Sequence, residues 1–340
     1  MSFLLSVCIP TYNRGVHLNN CLNSLAISIK GYEHLIEVCI SDNGSIDDTQ
    51  KIINQYRAKI NIVHNRFDFN VGIPRNFLKV VSLASGKFAW LLGDDDLLLP
   101  DTFTRILSLI SSNPNVDYFF ANSFHLTTEY VMSFPQPFDT ANLPSAMSPF
   151  SNYTKTGQLP FLALIDPAVS FDFLGGMFLA IFRREMWERH ANKLDKDAIH
   201  DMRTFSHFDN TFPHVKIFAN AFCKSIAYFE AKPLSVCLTG AREWSPMYPL
   251  IHSVRMVEAL EVYRKNGLGL IKYLYCRNFA LNNFVSDVGA MIIHRRASGY
   301  QYVNFLGLFF KNAFFPNTYL SFFYFVARKI AAIFRIKAEK

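Results

Sequence analysis

The sequence has no CxxC pair. Its six cysteines (Cys8, Cys21, Cys39, Cys223, Cys237 and Cys276) are scattered over 340 residues, mostly inside apolar runs. That excludes a disulfide framework or a zinc ribbon and reads as buried, reduced thiols. No run of 18 apolar residues occurs, so no segment reads as a membrane-spanning helix. The opening Met1–Pro10 has no basic stretch ahead of its apolar residues and reads as a strand rather than a secretory leader, so a cytoplasmic protein is expected. Neither GxGxxG nor GxxxxGKS/T is present, which argues against the usual dinucleotide and P-loop cradles. Charge is also scarce: Asp, Glu, Lys and Arg make up only 18% of the chain. Of the formal net charge of +7, +5 comes from residues 300–340, where Lys311, Arg328, Lys329, Arg335, Lys337 and Lys340 meet one acid, Glu339. The body is therefore nearly balanced and has no basic groove for nucleic acid.

What the chain does have is apolar side chain. Half of it is hydrophobic, including 34 phenylalanines, which excludes a disordered protein and permits one large domain or two modest ones. The first 125 residues alternate between short apolar runs and stripes at helical spacing. Phe3–Ile9, Ile36–Ile40, Ile60–His64, Phe88–Leu92 and Val116–Ala121 read as strands buried on both faces. Between them, Leu18 to Ile29, Asp47–Tyr56, Pro74 to Gly86 and Phe103 to Ile110 read as helices, with Pro74 at a first turn and Gly86 as a stop. Repeated β-α-β units with short links predict an α/β fold: a mainly parallel sheet flanked by helices, with its ligand site at the carboxyl ends of the strands.

Residues 126–170 are proline-rich and irregular but keep enough apolar residues to belong to the same globule. Order returns with the apolar, glycine-containing Phe173–Phe182 and a helix from Arg183. One or two helices are expected over residues 250–296. The division predicted is 1–125, 126–245 and 246–340.

The polar clusters fall at strand ends. Asp94, Asp95 and Asp96 follow the fourth strand directly. Three adjacent carboxylates repel one another, which gives a fold nothing, whereas a divalent cation relieves the repulsion. Oxygen donors without His or Cys favour Mg²⁺ or Mn²⁺, ions that complete their shells with substrate phosphates. A solvated acidic turn ahead of the helix near Thr102 is the plainer alternative. Asp42-Asn43-Gly44-Ser45 ends the second strand, where a carboxylate can accept from a base or ribose, although turn and cap chemistry also explains this segment. Pro10-Thr11-Tyr12-Asn13-Arg14 ends the first strand. Arg75 opens the helix at Pro74, a position suited to a phosphate, although a solvated surface arginine is equally common there.

Taken together, Val7-Cys-Ile-Pro-Thr-Tyr-Asn-Arg14, Ile40-Ser-Asp-Asn-Gly-Ser45, Asn70-Val-Gly72 with Arg75-Asn76, and Gly93-Asp-Asp-Asp-Leu97 resemble the ordered motifs of family 2 glycosyltransferases, which have the GT-A fold. The resemblance covers about residues 3–125. Trp90 to Leu97, Phe182 to Trp187 and Phe212-Pro-His214 look most like abequosyltransferase-like enzymes of O-antigen or capsule assembly. The resemblance implies a nucleotide-diphosphate sugar as donor and a saccharide hydroxyl, on a lipid-linked intermediate, as acceptor, with inversion at the anomeric carbon. It implies that Asp42 and the Pro10–Tyr12 segment hold the nucleoside, with Asn43 and Arg14 beside them. Asp94 and Asp96 would be the outer carboxylates of the metal-binding motif, Asp96 the likelier direct ligand, with Asp95 between them at the donor. Arg75 would contact the diphosphate or the nucleotide, and Trp244, in the late loop Arg242-Glu243-Trp244, would close over the donor or belong to the core.

For the general base the family commonly uses a Glu-Asp pair at a helix start in the second half. No such pair occurs there. Asp209, in His207-Phe-Asp-Asn-Thr-Phe-Pro-His214, takes the expected place, with His207, His214 and Asp201 as competitors. Gly175-Gly176 would let backbone approach an acceptor sugar, or simply mark a bend. The aromatic, basic tail (Tyr302–Phe315 and a helix over Tyr319–Phe334) is expected to adsorb to the inner face of the cell membrane; the alternative is packing on the core or on a second copy. Two rival functions remain: a nucleotidyltransferase acting on a sugar phosphate, and a membrane-docked scaffold without turnover.

Overall fold

The structure is a computed structural model that describes residues 3–240 and 244–338, with 331–338 as backbone alone. Arg242 and Glu243 of the late loop, and the tail side chains Arg335, Lys337, Glu339 and Lys340, lie outside the described residues.

The apolar runs become strands as expected. They are β1 (Leu5–Thr11), β2 (Ile36–Asp42), β3 (Ile62–Arg66), β4 (Phe88–Leu91) and, after the unforeseen two-residue β5 (Leu97–Leu98), β6 (Tyr118–Thr127). β1 and β2 are buried at every residue, which is why they read as continuous rather than alternating hydrophobic sequence. The helices between them are α1 (Gly15–Ser28), α2 (Thr49–Tyr56), α3 (Ile73–Ser82) and α4 (Thr102–Ser112). Pro74 sits in the first turn of α3, where its missing N–H costs nothing.

Four later strands complete a ten-stranded sheet: β7 (Ser148–Pro149), β8 (Gly157–Pro160), β9 (Ala180–Arg183) and β10 (Ile226–Thr239). The main path runs β3-β2-β1-β4-β9-β6-β10-β5, with β7 on β6 and β8 on β10. Pairings β1–β2, β1–β4, β2–β3 and β6–β10 are parallel; Val7 faces Val38 and Leu5 faces Phe88. β9 enters antiparallel between β4 and β6, and β5 pairs antiparallel with β10. The sheet is therefore mixed, mostly parallel, rather than uniformly so. The reversed β9 inverts no neighbour, so the carboxyl ends of β1, β2, β4 and β6 still open on one edge.

Aromatic packing holds the two halves of the sheet together. Trp90 on β4 is fully buried, stands edge-on to Phe103 of α4, and donates from Nε1 to the Phe178 carbonyl at 2.8 Å, joining β4 to the segment before β9. Phe182, Trp187, Phe218 and Phe222 cluster with centroids 5.1–6.3 Å apart. Burying each such ring contributes about 1.5–3 kcal/mol. All six cysteines are free thiols.

Beyond β10, three helical runs stand where one or two were expected: a run ending in Met256–Lys265, then Leu270–Ala280 and Phe284–Ile293. Helices Phe305–Asn312 and Asn317–Ala338 follow. Arg277 ties this region together: its guanidinium bonds Asn312 Oδ1 at 3.0 Å and the Lys311 carbonyl at 3.2 Å, and pairs with Glu261. Asn317 donates to the Asn278 carbonyl at 2.7 Å, anchoring the start of the last helix. Among the described residues, no helix is long and apolar enough to cross a membrane.

Candidate active site

Two recesses open at the carboxyl edge of the sheet and meet at Pro10, Arg14, Ile73, Phe77, Asp94 and Trp244. The first, about 490 Å³, is polar: Thr11, Tyr12, Asn43, Asn70 and Asn76 contribute to its wall. The second, about 410 Å³, is largely aromatic, with Phe150, Phe171, Phe178, Phe205, Phe212 and Tyr248 around the triplet Asp94–Asp96.

The loops of the polar recess are knitted to one another. Asn13, with φ of 52°, accepts at Oδ1 from Ile46 N and donates through its own N to Ser45 Oγ, both at 2.8 Å. Asp47 Oδ2 accepts from Gly15 N at 2.8 Å, so the Asp47-Asp48 segment caps α1 from outside. Asn43 Oδ1 accepts from Val71 N at 2.8 Å and its amide donates to Asn70 Oδ1 at 2.9 Å, linking the ends of β2 and β3. Gly44 has φ of 81°, and a Cβ there would lie 2.7 Å from Phe69 backbone, so the Asn-Gly turn admits no other residue.

Asp42 is fully buried at the end of β2. Its Oδ1 accepts from Ser45 N at 2.8 Å, and its Oδ2 lies 3.6 Å from Arg66 Nε. It sits behind the wall rather than on it, with Asn43 as the residue of that loop facing the recess. Arg75 occupies the first turn of α3 but lines neither recess; Asn76 does, and its amide donates to the Thr11 carbonyl at 3.3 Å.

The acidic triplet is folded tightly. Asp96 Oδ2 accepts from Gly93 N at 2.8 Å, and a Cβ on Gly93 would fall 2.8 Å from both Asp95 and Asp96, which only glycine avoids. Thr11 Oγ1 donates to Asp94 Oδ2 at 2.8 Å. Arg14 lies across the cluster, with Nε 3.0 Å from Asp94 Oδ1 and an NH2 nitrogen 2.7 Å from Asp95 Oδ2. The mutual repulsion of the carboxylates is thus met here by a guanidinium. Among the described residues, no three His, Cys, Asp or Glu side chains converge into a preformed metal cage. Asp94 and Asp96 offer oxygen donors of the kind that would hold Mg²⁺ or Mn²⁺ beside substrate phosphates.

Of the residues expected to supply the base, Asp209, His207 and Asp201 stand apart from the cavity. Asp209 is buried, but its Oδ2 accepts from Asp195 N at 2.6 Å and pairs with Lys216 Nζ at 2.5 Å; it lines neither recess. His207 is about half exposed, lies 3.3 Å from Asp201 and also lines neither. Asp201 is held well below the usual carboxylate range by hydrogen bonds from Arg203, which leaves it a weak base. His214 does line the apolar recess, with Nε2 3.0 Å from the Gly175 carbonyl; burial pushes its pKa down to about 4, so it stays neutral. Gly175 and Gly176 line the same recess. Trp244 lies at the junction of both, 5.2 Å from the Phe205 ring and 5.1 Å from Tyr248. Sequence reasoning passed over Asp172, which shares the apolar recess with the triplet; its signal was a lone carboxylate between Phe171 and Phe173.

Residues 6–163 match the family described as Glycosyl transferase family 2. Over 247 residues the chain is 29% identical to an abequosyltransferase, RfbV, of Salmonella typhimurium, covering 69% of this chain and 66% of that protein. Over 109 residues it is 35% identical to an uncharacterized glycosyltransferase of Mycoplasma pneumoniae, covering 31% of this chain and 36% of that one. The chain thus spans just under two thirds of the first relative's length and about a third of the second's. The crystal structure of residues 1–349 of Staphylococcus aureus TarS with UDP-GlcNAc superposes with a TM-score of 0.53 at 15% identity, covering 84% of this chain and 82% of that chain. A further crystal structure of the same TarS segment gives 0.55 at 18%, covering 88% and 74%. At these identities the likeness is one of fold, an α/β GT-A-like architecture. The motifs along the carboxyl edge of that sheet, from Thr11 to Asp96, all fall inside the segment that matches glycosyl transferase family 2.

Proposed function

We propose that the protein transfers a sugar from a nucleotide-diphosphate donor to a saccharide hydroxyl. The observation that carries this reading is the meeting of a polar and an aromatic recess at Asp94, on the carboxyl edge of a mostly parallel sheet. The polar side suits a nucleoside: Thr11, Asn43 and Asn76 offer hydrogen bonds, and Tyr12 and Pro10 offer flat surface. The diphosphate then lies over the triplet at the junction, and the sugar points into the aromatic recess, where rings can stack on the C–H face of a pyranose.

An Mg²⁺ or Mn²⁺ ion held by Asp94 and Asp96 would neutralise charge on the leaving diphosphate as Lewis-acid assistance. The chain's own groups do the rest. Thr11 fixes the Asp94 carboxylate, Gly93 fixes Asp96, and Arg14 is near enough to pass from Asp94 and Asp95 onto a phosphate oxygen. Trp244, with Phe205 and Tyr248 behind it, closes the junction from above and excludes water.

The relationship to an abequosyltransferase supports a hexosyl or deoxyhexosyl donor and an O-antigen or capsule intermediate as acceptor. The aromatic recess favours sugars with few hydroxyls, because each unpaired polar group buried there costs about 1–3 kcal/mol. A lipid-linked acceptor also suits the C-terminal helices, which leave Phe314, Phe322, Phe323, Phe310 and Leu306 exposed beside Lys311, Arg328 and Lys329. Such a surface adsorbs to an anionic leaflet without spanning it.

The test is a panel of UDP-, GDP-, CDP- and dTDP-sugars scored by thermal shift with and without Mn²⁺. One nucleotide class raising the melting temperature, and more so with the ion, is the expected result. A flat response across the panel would remove the reading.

A further inference from the structure

We propose that Asp172 is the general base, the group that takes the proton from the attacking hydroxyl. This rests on the glycosyl-transfer reading above. Among the described residues that line the aromatic recess, the acids are the triplet Asp94–Asp96 and Asp172. With the triplet committed to charge at the diphosphate, Asp172 is the carboxylate left to face an acceptor. Asp209 is in the reverse position, with an ammonium partner and no part in the recess wall.

Asp172 is held as a working group needs to be. Ser170 Oγ donates to its Oδ1 at 2.7 Å and Gly176 N to its Oδ2 at 2.6 Å. A carboxylate has about four lone-pair sites, so an acceptor remains on the anion for an incoming proton. The loop that carries it is strained and pinned. Phe173 (φ 53°) and Leu174 (φ 69°) both adopt left-handed backbone, which non-glycine residues rarely do. Such conformations cost on the order of 1–3 kcal/mol each and persist where the surroundings over-determine them. Here both side chains are buried, Ser170 Oγ also accepts from Leu174 N at 3.1 Å, and Tyr263 donates to the Phe173 carbonyl at 3.2 Å.

Burial raises the Asp172 pKa above the ordinary carboxylate range, which strengthens it as a base. The titratable groups facing it are Tyr118 of β6 and Tyr263 of the helix Met256–Lys265, both driven up by burial and therefore neutral. His214, bonded to the adjacent Gly175 carbonyl, is neutral as well. No described ion pair includes Asp172. In the step itself, the acceptor O–H proton passes to an Asp172 oxygen as the acceptor oxygen bonds the anomeric carbon. The bond from that carbon to the diphosphate oxygen breaks, and its electron pair leaves with the nucleoside diphosphate.

The experiment compares Asp172→Asn with Asp209→Asn, reading nucleoside diphosphate released from the sugar nucleotide selected by the panel, with water or a bacterial lipid-linked saccharide extract as acceptor. Asparagine can still accept from Gly176 N and meet Ser170, so donor affinity and melting temperature should hold. Turnover should fall ~10²–10⁴-fold. The loss of rate toward low pH, which marks protonation of the base, should vanish from what remains. Asp209→Asn should keep turnover within about threefold, since the base contribution it would lack is ~10²-fold or more. Asp172→Asn with near-normal turnover, or a collapse of turnover in Asp209→Asn alone, overturns the assignment. Should Asp172→Asn fail to fold, Ser170→Ala removes the bond that holds the Asp172 pKa down, and the acid limb should move to higher pH; an unmoved limb overturns the proposal. A wild-type protein that turns over none of the donors overturns this assignment together with the transfer reading.

Discussion

In the polar recess, four of the lining groups come from loops at the ends of adjacent strands, and Thr204, Trp244, Pro246, Met247 and Ala297 of the second half complete the wall. Thr11 ends β1, Asn43 follows β2, Asn70 follows β3 and Asp94 follows β4, and each loop is bonded to the next. The aromatic recess, on the other side of Asp94, is assembled from far-separated segments: Phe150 from the irregular stretch, Phe171 and Phe178 from the approach to β9, Phe205 and Phe212 from around a four-residue helix, and Tyr248 from beyond β10. The first recess is a product of parallel-sheet topology, which delivers every strand to one edge whatever the loops contain. The second is a product of tertiary packing, and its shape is free to vary with the rings that fill it. On the proposed function, the rings around the sugar can therefore vary while the groups at the ends of β1 to β4 stay in place, with Pro10, Arg14, Asp94 and Trp244 common to both recesses.

The largest expected effect tests the acidic triplet, whose Asp94 both recesses share and whose Asp96 lines the aromatic one. Asp96→Ala removes a carboxylate that folds the triplet through Gly93 N and that, on the proposed function, would hold the cation. Turnover of any sugar nucleotide should fall by roughly 10³-fold or more, the scale of a lost electrostatic group at a developing charge. Circular dichroism should be unchanged, since the site lies at a loop on the sheet edge. Turnover retained in a folded variant would mean that the two recesses do not cooperate at Asp94–Asp96.

The same contrast explains what the sequence discloses. β1 to β4 are legible because a strand buried on both faces is an uninterrupted apolar run, and their loops are legible because Asn-Gly, Pro at a first turn and adjacent carboxylates each have a local physical cause. β10 is not legible: Glu230, Lys232 and Pro233 break its pattern, and its register against β6 shifts between Glu230 and Ser235. The reversal of β9 has no local signal at all, being fixed by the slot between β4 and β6. At the site, Asp94–Asp96 were found because like charges in a row demand an explanation. Asp209 drew attention by position in a motif, yet its carboxylate is taken by Lys216 seven residues on, a pairing that spacing alone does not distinguish from an open one. Asp172 escaped because one acid among phenylalanines looks like an interruption until the fold places it in a cavity.

A second way to sharpen the comparison lies outside both recesses. Phe322 and Phe323 on the last helix are 50% and 64% exposed, well above what a core-packing helix shows. Replacing both by serine should weaken binding to vesicles of anionic lipid by roughly thirtyfold, at ~1 kcal/mol for each ring that enters the interface. Turnover of a water-soluble acceptor should be unaffected. Binding unchanged in sedimentation would assign this face to a protein partner, or to a second copy of the chain, instead of a leaflet.

The smallest effect concerns Arg14, which belongs to both recesses and whose guanidinium lies on Asp94, one of the two carboxylates a cation would use, and on Asp95 beside it. Metal without donor must compete with that guanidinium, whereas metal arriving with a diphosphate gives Arg14 a new anionic partner. Arg14→Gln should therefore tighten Mn²⁺ binding in the absence of nucleotide by about fivefold, close to the ~1 kcal/mol upper range of a solvent-accessible ion pair. It should also weaken the gain in metal affinity that the donor brings, because the phosphate loses its guanidinium. Calorimetry with Mn²⁺ alone, and again in the presence of the nucleoside diphosphate, separates the two. Should the variant bind free Mn²⁺ no better than the wild type, Arg14 would be a fixed strut between the recesses, and the triplet's charge would be balanced by the fold itself rather than by whichever cation the donor brings.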